Sequence, residues 1–98
     1  LYTLENNILL KGDEKKLNAE QLIAFCEEEK LTGFAFISYQ EIHAVLTFQK
    51  GILEEIRTEF LTDSKAFDQI ISWRKFRFII IRGPYSSNLA KVIKEQLF

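Results

Sequence analysis

The sequence predicts an α+β domain with a mainly antiparallel sheet of about four or five strands and three helices, in the order β-α-β-β-β-α-β-α. Apolar and polar side chains alternate over residues 34–58, which indicates strands joined by short turns and therefore antiparallel pairing. Apolar residues recur at helical spacing before, between and after these strands. The chain has 98 residues, enough for one core and too few for two, so a single domain over residues 1–98 is expected.

The chain begins with a predicted short strand over residues 8–11. Asn18, with Gln21 three positions later, has the spacing of a capping box and predicts the start of a helix. Gly33 is predicted to end that helix. Its expected buried stripe consists of Ala19, Leu22, Ile23 and Cys26.

A meander of three strands follows, with predicted turns at Gln40 and Glu41 and at Lys50 and Gly51. The third strand, Ile52–Thr58, is rich in charged residues and is predicted to be a solvated edge. Its charged residues, with the one that follows it, are Glu54, Glu55, Arg57 and Glu59. The expected helix-covered face of the sheet combines Phe34, Phe36, Ala44, Leu46, Phe48, Phe76, Phe78 and Ile80.

Asp63 or Ser64 is predicted to cap a second helix, and a strand over residues 75–82 is predicted to follow it. The buried residues expected of this helix are Phe67, Ile70, Ile71 and Trp73. Candidate caps of a third helix are Ser86, Ser87 and Asn88. Its apolar face is predicted to hold Leu89, Val92, Ile93 and Leu97.

The composition indicates an ordinary globular domain with an aromatic-rich core. Hydrophobic residues make up 47% of the chain and aromatic residues 13%, so no disulfide or metal is required for stability. The single Cys26 excludes an internal disulfide and suits a cytoplasmic location. The longest apolar run is far shorter than the roughly 20 residues that span a bilayer, so no membrane span is expected. The chain contains no Met, and we expect it to be excised or trimmed from a longer protein.

Charge is distributed unevenly along the chain although the net charge is only -1. Residues 1–63 carry 6 basic and 12 acidic side chains, whereas residues 64–98 carry 7 basic and 2 acidic ones. Opposite charges of this kind favour contact between two parts of the chain, or between the chain and a partner.

The order of several short motifs resembles that of the PATAN-type domain, a bacterial domain of poorly defined function found in signalling proteins. The matching residues are Thr32, Gly33, Leu46, Phe48, Gly51, Ile52, Ala66, Trp73, Phe76 and Phe78, and the resemblance covers about residues 8–97. It implies a non-catalytic interaction module of a bacterial signalling or motility protein, and it transfers no catalytic residue. The chain departs from the family pattern at Arg74 and Lys75, where a glycine is common, and at residues 53–55.

No residue pattern indicates catalysis, and we expect no enzymatic activity, metal or cofactor. His43 is the only histidine and has no neighbouring nucleophile or set of metal ligands in the sequence. Paired glutamates, at residues 27–29 and 54–55, are expected to be solvated. The basic and aromatic residues 74–78 place their aromatic rings on the covered face of a strand, so nucleic-acid binding is not expected.

The other face of the sheet is the predicted interaction surface. An uncovered apolar face rimmed by polar groups would bury itself against a protein partner or a second copy. The candidate interface residues are Ile37, Tyr39, Val45, Lys75, Arg77, Ile79 and Ile81. The sequence leaves equally open that the last helix covers this face.

The resulting prediction is a cytoplasmic, non-catalytic protein-interaction or scaffold domain of a bacterial signalling or motility system. The alternative is a small-ligand sensor whose pocket lies between sheet and helices near Trp73 and Tyr85.

Overall fold

A computed structural model describes residues 4–97 of the protein and the side chains of residues 6–95. It contains a five-stranded antiparallel sheet with three α-helices, which confirms the predicted α+β class and element order. The elements are β1 (Ile8–Asp13), α1 (Ala19–Glu28), β2 (Gly33–Tyr39), β3 (Ile42–Gln49), β4 (Ile52–Thr58), α2 (Asp63–Ile71), β5 (Arg77–Arg82) and α3 (Ser87–Val92). A 3-10 turn, Leu4–Asn7, precedes β1, and a π-helical turn, Ile93–Leu97, extends α3.

The sheet has the strand order β1-β5-β2-β3-β4, so β1 and β4 are its edges. The charged side chains of β4 are exposed, which confirms the predicted solvated edge. The most apolar strands, β2 and β5, pair with each other at the centre of the sheet. None of the helices in the described part of the chain is long and apolar enough to span a membrane.

Helices cover both faces of the sheet and enclose two hydrophobic clusters. Helices α1 and α2 close the first cluster, whose large sheet residues are Ile37, Leu46, Phe48, Ile56, Phe78 and Ile80. Helix α3 closes the second cluster, to which the sheet contributes Phe34, Phe36, Val45, Ile79 and Ile81. The domain is therefore a three-layer α/sheet/α arrangement with a thin layer on the α3 side.

The predicted phase of β2 was wrong. Phe34 and Phe36 were expected to share a face with Ala44 and Leu46, but Ala35 pairs with Leu46 and Phe36 pairs with Val45. Directly opposed residues of an antiparallel pair share a face, and a two-residue turn pairs the residues that flank it. The turn at Gln40 and Glu41 therefore places odd-numbered residues of β2 with even-numbered residues of β3.

Helix α1 begins as predicted but ends earlier. Asn18 and Gln21 form the reciprocal capping box, with the Gln21 backbone N–H donating to Asn18 Oδ1 at 2.8 Å. The helix ends at Glu28, and Lys30 takes a left-handed conformation at φ 51°, so Gly33 does not end it. Gly33 instead starts β2, where an added Cβ would collide with the carbonyl oxygen of Ile81.

The ends of α2 and α3 follow the prediction in part. Thr62 precedes α2 as its cap, whereas Asp63 and Ser64 lie inside the helix. Ile70 and Trp73 are buried as predicted, but the Ile71 side chain is 45% exposed. The Ser86 hydroxyl accepts a hydrogen bond from the Leu89 backbone N–H and caps α3. The predicted burial of Leu97 falls on a side chain outside the described residues.

The turn between β3 and β4 is docked on the segment that follows α1. Lys50 and Gly51 both have positive φ, as a two-residue turn between twisted strands requires. The Gly51 backbone N–H donates to the Leu31 carbonyl oxygen at 2.8 Å, and the Lys50 N–H donates to Thr32 Oγ1 at 3.0 Å. These bonds join the tip of the hairpin to the segment that follows α1.

Candidate functional site

Four of the seven predicted interface residues lie in the protein interior. Ile37, Ile79 and Ile81 have no exposed surface, and Val45 is 7% exposed. Ile37 packs under α1 and α2, whereas the other three pack under α3. The expected uncovered apolar face is therefore absent from the described structure, and the last helix covers that side of the sheet.

The remaining three predicted residues, Tyr39, Lys75 and Arg77, meet at a surface cleft of about 630 Å³. We call this the basic cleft. Its basic and aromatic lining consists of Lys15, Tyr39, Arg74, Lys75, Phe76 and Arg77, with Asp13 and Glu14 beside them. The sequence therefore identified three residues that do lie together, but it assigned them to a different surface of the protein.

Strand pairing at one end of the sheet builds the basic cleft. Arg77, at the start of β5, pairs with Asp13 at the end of β1 and with Ser38 near the end of β2. The Glu14 backbone N–H donates to the Phe76 carbonyl oxygen at 3.2 Å, which extends this connection beyond the strands. Three chain segments distant in sequence therefore converge on one opening.

A stacked aromatic pair supports the inner wall of the cleft. The rings of Tyr39 and Trp73 lie 5.2 Å apart between centroids and are 12° from parallel. Trp73 is buried behind Tyr39, and its backbone N–H donates to the Ile70 carbonyl oxygen at 3.0 Å. The position of Tyr39 in the cleft wall is thereby coupled to the end of α2.

The charge of the cleft favours acidic groups. Four basic side chains line it against the two carboxylates of Asp13 and Glu14. Arg74 and Lys75 are exposed, and the Glu14 Oε2 atom is buried without a hydrogen-bond partner. A ligand with carboxylates and one N–H or O–H donor would match these groups. Among the described residues, no group of three or more His, Cys, Asp and Glu side chains is placed to hold a metal ion.

A second, smaller cavity of about 260 Å³ lies under α3, beside Tyr85. Its polar lining includes His43, Arg57, Glu59 and Lys94. The guanidinium of Arg57 lies 5.7 Å from the centre of the Tyr85 ring. Trp73 and Tyr85 pack on opposite faces of the sheet, so the predicted single pocket near both residues is not formed.

His43 and Glu59 form a hydrogen-bonded pair at the edge of this second cavity. Glu59 accepts from the His43 backbone N–H at 2.8 Å and from the His43 ring at 2.9 Å. An ionised carboxylate only accepts, so this contact requires a proton on His43 Nδ1. Burial alone would raise the pKa of Glu59, but the hydrogen bonds from His43 outweigh it and hold that pKa below its ordinary value.

Sequence reasoning missed Lys15 and Arg74 as members of the basic cleft. Lys15 lies in the turn after β1, where nothing in the sequence pattern relates it to residues 74–77. Arg74 did carry a signal, because it belongs to the basic and aromatic run of residues 74–78.

Comparison of the chain with protein-family models, with curated proteins and with solved structures finds no match.

Proposed function

We propose that this protein is a non-catalytic interaction domain that binds an acidic segment of a protein partner in its basic cleft. The observation that carries the proposal is the convergence of Lys15, Arg74, Lys75 and Arg77 on an opening of about 630 Å³. Apolar side chains of such a segment would pack on Tyr39, while its carboxylates would face the basic rim.

The shape and charge of the cleft support a peptide segment over a nucleic acid. The rings of Phe76 and Trp73 are buried, so neither presents a face on which a base could stack. The whole chain has a net charge of -1, so its overall charge does not attract a phosphate backbone. A localised basic cleft is better suited to a short acidic motif.

The cellular setting of the proposal rests on the sequence resemblance. The PATAN-type order of motifs supports a role in a bacterial signalling or motility system, and the single buried Cys26 suits the cytoplasm. In such a system the domain would hold an acidic segment of another component.

A fluorescence titration tests the proposal, because Trp73 is the only tryptophan and stacks on a residue of the cleft wall. We expect a peptide with alternating Glu and Leu residues to change the Trp73 emission, and a peptide with Gln in place of Glu to leave it unchanged. The double variant Lys75→Glu, Arg77→Glu should lose the response. The matched variant Arg82→Glu, Lys91→Glu makes the same charge change away from the cleft and should keep it. Equal binding by both double variants would refute the proposed site.

A small-ligand sensor is the second candidate function, and the cavity under α3 favours it. That cavity is lined by the aromatic residues Phe36 and Tyr85 and by the polar residues His43, Arg57 and Lys94. Aromatic rings with convergent polar groups are a feature that this cavity shares with small-ligand sites. Thermal unfolding in a panel of small carboxylates and phosphates tests it, with Lys94→Gln as the comparison. A compound that raises the Tm of the parent protein but not of Lys94→Gln would support this function. If no compound in the panel raises the Tm of the parent protein, the sensor function is refuted.

A further inference from the structure

The largest exposed apolar side chain described lies in the loop between β4 and α2. Phe60 is 75% exposed, more than Ile52 at 69% or Ile71 at 45%. Burying an aromatic side chain removes roughly 150–250 Å² of surface from water, which is favourable. An exposed aromatic side chain therefore commonly marks a surface that contacts another molecule.

The loop that carries Phe60 is fixed by hydrogen bonds around the buried Thr58. The Thr58 hydroxyl accepts from the backbone N–H groups of Phe60 at 3.3 Å and of Leu61 at 3.1 Å. The Thr58 N–H donates to the Leu61 carbonyl oxygen at 2.9 Å, and its hydroxyl donates to Gln69 at 3.0 Å. The ring of Phe60 is thus presented on a tightly bonded turn, which lowers the entropy cost of binding.

The same loop is acidic. Glu59 and Asp63 flank the segment, and residues 59–63 contain no basic side chain. We call residues 59–63 the acidic loop. The Glu59 carboxylate is engaged with His43, so the loop offers an exposed aromatic ring and the carboxylate of Asp63, the chemistry that the basic cleft is proposed to bind.

The acidic loop and the basic cleft lie at the same end of the sheet. Strand β4 ends at Thr58 opposite Ala44, near the start of β3. Strand β2 ends at Tyr39, immediately before β3, and Arg77 and Asp13 lie at that end of β5 and β1. The loop therefore follows one edge strand, and the cleft opens beside the other edge. When a surface and its complement share one end of a molecule, a two-fold axis can bring both pairs together at once.

We propose that two copies of this chain associate about a two-fold axis, each placing Phe60 of its acidic loop in the basic cleft of the other. This inference rests on the proposed function and names the partner as the chain itself. Each Phe60 ring would pack on Tyr39, and Asp63 would face Lys75 and Arg77. The assembly stops at two copies, because the acidic loop and the basic cleft of each copy are both occupied by the other copy.

Light scattering of the full chain over a range of concentrations tests the proposal. The parent protein should form a dimer as its concentration rises. Phe60→Ala should weaken this association by about tenfold or more, as is typical for a central aromatic contact. The double variant Lys75→Glu, Arg77→Glu should lose association to a similar extent. Ile52→Ala, which removes a similarly exposed side chain from the opposite end of β4, should leave the dimer unchanged.

A mixture of the Phe60→Ala variant with the Lys75→Glu, Arg77→Glu variant gives the most discriminating test. Phe60→Ala retains an intact cleft, and Lys75→Glu, Arg77→Glu retains an intact loop. The mixture should form a one-to-one pair with one intact contact, at concentrations where each variant alone stays mostly monomeric. A dimer that Phe60→Ala leaves unchanged, or a mixture that stays monomeric while the parent dimerises, would overturn the inference.

The peptide titration separates this inference from the proposed function. If the acidic peptide binds the cleft but the parent protein stays monomeric at every concentration, the cleft serves another partner and the self-association is overturned. If the peptide does not bind and the protein stays monomeric, both proposals are overturned together.

Discussion

At the scale of single residues, Trp73 connects the cleft to the core. It is 7% exposed, and its ring stacks on Tyr39. Replacing Trp73 by Ala removes the stack and leaves a cavity under α2, so we expect a loss of roughly 3–5 kcal/mol in the free energy of unfolding. Urea denaturation followed by circular dichroism measures this loss without relying on the tryptophan signal.

A loss of that size approaches the whole stability of a small domain, so a milder variant is the control. Trp73→Phe keeps an aromatic ring against Tyr39 and should cost clearly less than Trp73→Ala. If Trp73→Ala changed the unfolding free energy by less than about 0.5 kcal/mol, the packing of Trp73 would contribute nothing to the fold.

The pairing of Glu59 with His43 makes a prediction about pH. The pKa of Glu59 in the folded protein lies below its ordinary value. Ionised Glu59 therefore stabilises the folded state at pH values above the pKa that Glu59 has in the unfolded chain. This contribution is lost as the pH falls through the folded pKa. Glu59→Gln should therefore be less stable than the parent at pH 7, and the difference should shrink as the pH falls below about 4.

Denaturation midpoints at pH 7 and pH 3 test this prediction. Glu41→Gln, at an exposed turn residue, is the matched control and should show no difference from the parent at either pH. A difference for Glu59→Gln that is the same size at both pH values would show that the carboxylate charge is not what stabilises the pair.

Cys26 shows how far residue-scale reasoning from sequence reaches. Its spacing with Leu22 and Ile23 predicted a packed hydrophobe, and the thiol is fully buried under the sheet. Burial, followed by the neighbouring Glu27 carboxylate, raises the pKa of the Cys26 thiol to about 12, so it stays protonated and unreactive at neutral pH. The exposure of Phe60 could not be predicted in the same way, because it depends on the Thr58 hydrogen bonds that aim the loop outward.

At the scale of elements, the capping box of α1 is the clearest local signal in the chain. Asn18 satisfies the Gln21 backbone N–H, and the Gln21 side chain accepts from the Asn18 N–H at 2.9 Å. Asn18→Ala should lower the unfolding free energy by about 1 kcal/mol, measured by denaturation. Asn18→Ser retains a capping oxygen and should recover most of that loss. Equal stability of all three proteins would mean that the packing of α1 alone determines where the helix starts.

Element order and turns were predicted correctly because local rules govern them, whereas the phase of β2 was predicted wrongly although the predicted turn determines it. Its alternating residues are all apolar or small, so neither face of β2 is marked as polar over residues 34–37. The larger Phe side chains suggested that Phe34 and Phe36 face the same side as Leu46. The two-residue turn instead pairs odd-numbered residues of β2 with even-numbered residues of β3, so these Phe side chains face the α3 side. The predicted interface residues Val45, Ile79 and Ile81 became core residues because α3 packs over them.

At the scale of the whole molecule, the uneven charge along the chain becomes a spatial separation. Three of the four basic residues of the cleft come from residues 74–77, and the acidic loop comes from the first, acidic part of the chain. Raising the ionic strength from about 0.05 to 0.5 M shortens the Debye length from roughly 14 to 4 Å. Association through the cleft should therefore weaken, which sedimentation or light scattering would record.

The double variant Lys75→Glu, Arg77→Glu provides the reference for the salt experiment. Both side chains are exposed, so we expect the variant to keep the fold of the parent and to associate no more strongly at low salt than at high salt. Association of the parent that is equal at low and high salt would show that apolar burial alone holds the partner.

The docked turn between β3 and β4 has a consequence for engineering the chain. Hairpin tips are often chosen to accept an inserted tag or the new ends of a circular permutant. Here the amides of Lys50 and Gly51 are engaged with residues 31 and 32, and an added Cβ at Gly51 would lie 2.9 Å from the Glu27 carbonyl oxygen. An insertion at this tip would have to detach the hairpin from α1, so it is a poor place to open the chain.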